Sequence, residues 1–62
     1  MEKNAEKPTE SLINAMKAKG YNYAILIEGQ RDYLFVKTSE MAAQVMREDF
    51  PESRIIDTIK LS

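Results

Sequence analysis

Apolar residues gather in separate short groups along this chain, and their spacing changes from one group to the next. Leu12, Ile13 and Met16 recur at helical spacing while Glu10, Asn14 and Lys17 face elsewhere, which predicts an amphipathic helix over about residues 9 to 19. Thr9 suits the N-cap, Glu10 the positive end of the helix dipole, and Gly20 a left-handed stop. Residues 21 to 28 are aromatic and β-branched and too few for an independent helix, so they read as a strand. Gly29-Gln30 fits the Gly-X pattern of a type II′ hairpin turn, and the second strand then runs to Val36 with Glu28 opposite Arg31.

Thr38 or Ser39 caps a second helix, whose apolar stripe is Met41, Ala42, Val45, Met46 and Phe50 and which Pro51 stops. Residues 54 to 61, RIIDTIKL, form a third strand. The pattern therefore predicts an α+β domain in the order α-β-β-α-β. A crossover through the second helix returns the chain parallel to strand 2, so strand 3 belongs beside strand 1. That gives a three-stranded antiparallel sheet of order 2-1-3 with its helices packed on one face. Residues 1–7 read as a polar tail and residues 8–62 as the single domain.

An even-residue turn puts Tyr23, Ile25, Ile27, Leu34 and Val36 on one sheet face, beneath the second helix. Ile55, Ile59 and Leu61 are expected to join them, with Asp57 awkwardly inward unless an edge position or a bulge admits water. The opposite face then carries Leu26, Tyr33, Phe35 and Ile56, rimmed by Arg31, Thr58, Glu28 and Lys60. An apolar patch with a polar rim is the composition of a partner site. Its cover is a second copy of the chain, another macromolecule, or the first helix folded across it.

Composition sharpens this reading. A chain of 62 residues buries only about 60% of its unfolded surface, so small domains lean on disulfides, metals or oligomerisation. Cysteine and histidine are both absent, which removes disulfides, thiolate and imidazole metal sites, and the commonest general base. Oligomerisation remains. Nine Lys/Arg stand against ten Asp/Glu, scattered rather than gathered on one face, where a nucleic-acid binder shows a basic excess. No apolar run reaches membrane-spanning length and no signal peptide is evident, so the expected location is cytoplasmic.

Candidate chemistry is thin. Glu48, Asp49 and Glu52 lack the spacing of a calcium loop, and Lys37-Thr38-Ser39 lacks the glycines of a phosphate-binding loop. No catalytic residue, metal or cofactor is assigned. The expected function is a non-enzymatic protein-interaction module, an adaptor or inhibitor of the size of bacterial or phage accessory proteins. It is expected to homodimerise, or to bind another protein, through Leu26, Tyr33, Phe35, Ile56, Arg31 and Thr58. The alternative is a sheet platform that stacks single-stranded nucleic acid on Tyr33 and Phe35.

Overall fold

The computed structural model describes residues 7 to 61; the expected tail otherwise lies outside the described residues. The elements are α1 (Glu10–Ala18), β1 (Tyr23–Ile27), β2 (Leu34–Val36), α2 (Ser39–Asp49) and β3 (Ile55–Lys60), in the expected α-β-β-α-β order. The sheet is antiparallel throughout, with strand order β2-β1-β3. The most apolar strand thus takes the middle place.

Local chemistry explains the helix ends. Thr9 Oγ1 accepts from the Leu12 N–H and Thr38 Oγ1 from the Met41 N–H, each supplying one of the acceptors a helix N-terminus lacks. At the other end of α1, the Gly20 N–H donates to Lys17 O and the Tyr21 N–H to Met16 O. This is a Schellman pair, and it requires the positive φ of +100° that Gly20 adopts.

The hairpin keeps the expected parity but not the expected turn. Tyr23 pairs with Val36 and Ile25 with Leu34. Beyond that pair the strands part, and the Gln30 N–H donates to Ile27 O. Gly29, at φ +93°, is therefore the third residue of a type II-like turn rather than the second of a type II′ turn. Glu28 leaves Arg31 and joins β3: its N–H donates to Arg54 O at 2.8 Å, and Oε1 lies 3.4 Å from Arg54 Nε.

On the near face of the sheet, Ile25, Ile27, Val36 and Ala42 form the core, with Tyr23, Met46 and Phe50 packed against it. Ala42, not Met41, points inward; Met41 is exposed.

β3 reverses the expected parity. Ile25 pairs with Thr58 and Ala24 with Ile59, until a bulge shifts Ile27 onto Ile55. Thr58 and Lys60 therefore share the near face, while Ile59, Asp57 and, by alternation, Leu61 belong to the far one. The bulge leaves Ile55 on the near side as expected, because one extra residue flips the side-chain phase of everything beyond it.

α1 lies across the far face, so the helices sandwich the sheet instead of sharing one side. Leu12 and Pro8 line a cleft with Tyr33 and Phe35, and Tyr21, just past the helix, meets Phe35 edge-on at 6.4 Å between ring centroids. Ile13 and Met16 are half-buried, and Ala24, on the same sheet face as Phe35, is 0% exposed. The physical reason is burial: a far face bearing Ala24, Leu26, Phe35 and Ile59 offers α1 more apolar area than the strip left beside α2.

Candidate protein-interaction surface

The six residues expected to form an interface are not brought together on one exposed surface. Leu26 is 9% exposed, and Tyr33 and Phe35 are half-buried where α1 begins. These three do share the far face, as expected, but α1 is its cover. Thr58 sits on the opposite face, Arg31 lies in the exposed hairpin loop, and Ile56 occupies the bulge at 51% exposure. Tyr33 and Phe35, expected as the aromatic platform, stay on one face, where Tyr21 meets the Phe35 ring edge-on and the Tyr33 hydroxyl is engaged by Asp57.

That engagement crosses the sheet. Leu26 pairs with Asp57, and the Tyr33 hydroxyl reaches past the central strand to donate to Asp57 Oδ2. Hydrogen bonding to the carboxylate, then burial, then the negative charge of Asp57 raise the Tyr33 pKa above its ordinary value. Asp57 thus finds a partner rather than the open water that an inward carboxylate in the core would have needed. Its other oxygen, Oδ1, accepts from the Thr58 N–H at 3.0 Å.

The exposed apolar surface lies on the near face instead. α2 sits over β1 and β2, and beside it a groove of about 250 Å³ runs toward β3. Tyr23, Ile25, Ala42 and Ala43 form its apolar walls, and Ile55, Ser39 and Thr58 complete it. Ala43 and Thr58 are exposed, and Ile55 lies on the rim. A second cleft, on the β2 side of α2, is bounded by Leu34, Val45 and Phe50 but also by Asp32 and Asp49. The first is the less polar of the two.

Sequence reasoning missed the groove for one reason. Strand 3 was given the wrong phase, so Thr58 was placed on the far side. The Ile55-Ile56 doublet supplies an apolar residue to either face, so residues 54 to 61 do not fix that phase.

Among the described residues no three acidic side chains converge on a metal-sized site, and no helix is long and apolar enough to cross a membrane. Glu48, Asp49 and Glu52 are all exposed around the end of α2. The Lys37-Thr38-Ser39 segment forms the helix cap described above, and the Lys37 ammonium lies 5.6 Å from the Tyr21 ring centroid, a cation–π distance. Comparison with protein-family models, with curated proteins and with solved structures finds no match.

Proposed function

We propose that the protein is a non-enzymatic protein-interaction module of the cytoplasm that homodimerises through the near-face groove between α2 and β3. The observation that carries this reading is the coverage of the near face: α2 packs on Ile25, Ile27 and Val36 but leaves Ile55, Tyr23 and Ala43 lining an open groove. A second copy is the occupant best suited to this chain. Its buried apolar set among the described residues is small (Ala24, Ile25, Leu26, Ile27, Val36, Ala42 and Leu61), and neither cysteine nor histidine is available to staple it. A small domain in that position gains most from added apolar burial between copies. Absence of both residues also removes the thiol nucleophile and the commonest general base, which favours binding over catalysis.

The test is the mass in solution by light scattering over a wide concentration range, for wild type and for Ala43→Glu. Ala43 is exposed on α2 and lines the groove, so a carboxylate there leaves the core intact and must be desolvated in any complex. The expected result is a wild-type dimer and a monomeric variant. A wild-type mass fixed at 7.1 kDa overturns the homodimer. A variant that still dimerises moves the interface elsewhere.

A further inference from the structure

Among the described residues β3 pairs with β1 on one side and with no strand on the other, so its outer edge is open to strand pairing. The backbone alternation shows which groups lie there. The Leu61 N–H donates to Asn22 O at 2.8 Å, so Leu61, Ile59 and Asp57 turn their amides toward β1. Those of Thr58 and Lys60 therefore point outward. Thr58 lies at the centre of the open edge, inside Ile55-Ile56-Asp57-Thr58-Ile59, a run whose only non-β-branched member is Asp57. Short β-branched edge segments are the usual seeds of unwanted strand addition.

We propose that Asp57 guards this edge: by accepting the outward Thr58 N–H, its carboxylate prevents β3 from pairing with the β3 of a second copy. Two contacts hold the guard. Oδ1 takes the Thr58 N–H, and Oδ2 is fixed from across the sheet by the Tyr33 hydroxyl. An incoming strand must break a charge-assisted bond that costs no association entropy.

The occupant it excludes follows from the edge itself. An antiparallel pair centred on Thr58 sets this residue against its own copy, with both outward N–H groups meeting outward carbonyls. Thr–Thr is a favourable cross-strand pair. In that register Ile56 meets Lys60 and Asp57 meets Ile59 of the second copy, so no like charges face each other. Centring on Asp57 instead would oppose two carboxylates. The bulge beside Ile56 and the exposed Lys60 add to the protection. The Thr58 side chain also lines the groove, so the edge is tested with groove association blocked by Ala43→Glu.

The experiment compares the Ala43→Glu parent with Thr58→Pro, Asp57→Ala and the double variant Asp57→Ala/Thr58→Pro, each carrying Ala43→Glu, by light scattering, with circular dichroism to confirm the fold. Proline at 58 deletes the outward N–H without costing a bond to β1, a placement edge strands tolerate. Asp57→Ala is expected at least to double the parent mass as concentration rises, and the double variant to return to the parent value. The proposal is overturned if Asp57→Ala keeps the parent mass. It is equally overturned if the double variant associates as strongly as Asp57→Ala, since loosened packing rather than a freed edge would then be responsible. A lower mass for Thr58→Pro than for its parent, both carrying Ala43→Glu so that the groove Thr58 also lines cannot contribute, would mean that the edge is already paired, which also refutes the guard. Ala43→Glu reports on the groove alone, so failure of either idea is read separately.

Discussion

Ala24→Ile is the sharpest test of the sandwich, because its sign depends on where α1 lies. Ala24 is in the central strand, on the far face, at 0% exposure. On an open sheet face this substitution is favourable, since β-branched residues gain up to about 1 kcal/mol in strands. Under a packed helix it forces three extra carbons into filled space, and overpacking of that kind costs about 1–3 kcal/mol. The total against which this counts is small: at about 0.05–0.15 kcal/mol per residue, the 55 described residues sum to roughly 3–8 kcal/mol. Urea unfolding followed by circular dichroism measures it directly. With a slope of about 1 kcal/mol per molar urea for so small a domain, the midpoint falls by about 1–3 M. An unchanged or higher midpoint at an unchanged slope would show that α1 does not cover Ala24, and the placement of the helix would be wrong.

Ile27→Ala, on the near face, removes a 2% exposed side chain and is expected to cost about 2–5 kcal/mol, leaving much of the chain unfolded by circular dichroism at room temperature. Gly20→Ala meets nothing closer than the Lys37 Cε at 4.0 Å, so its cost is the left-handed backbone alone, about 1–2 kcal/mol in the same urea assay. Thr38→Ala removes the acceptor for the Met41 N–H and should lower stability by about 1 kcal/mol. Tyr33 holds its proton more tightly folded than unfolded, so its contribution is full below the ordinary tyrosine value and is lost as pH climbs through the raised one. Stability measured against pH in the alkaline range should therefore fall more steeply in wild type than in Tyr33→Phe; equal slopes would show that the bond to Asp57 does not form in solution.

The helices were legible in this sequence because caps and stops are local. Thr9, Gly20, Thr38 and Pro51 act within a few residues of themselves, and both helices begin and end where those residues put them. The face assignment of β1 and β2 was also legible, since it depends only on the parity of the hairpin connection. What failed was non-local. A period-two reading carries one phase through a strand, and the bulge at Ile55–Asp57 changed it, which moved Thr58 and Ile59 to opposite sides from those expected. The stripe Leu12, Ile13, Met16 shows which side of α1 is apolar but not which side of the sheet receives it. The short link after Gly20 permits either. The candidate interface inherited both errors, and Leu26, Tyr33 and Phe35 proved to be the seat of α1.

The tie between the hairpin loop and β3 has a consequence for how the chain is made. Glu28 is bonded by backbone to Arg54, its carbonyl accepts from Ser53 Oγ, and Tyr33 is bonded to Asp57, so the loop after β1 is fastened by residues near the far end of the chain. β1 is the strand with two neighbours, and the second of them, β3, is synthesised after α1, β2 and α2. A nascent chain that has emerged only as far as α2 therefore carries its greasiest strand with one flank bare. Sheet closure waits on long-range pairing, which is slow compared with helix formation. Such a protein should collapse early and lock late, and C-terminal truncations that remove β3 should clump on expression rather than remain as smaller folded domains.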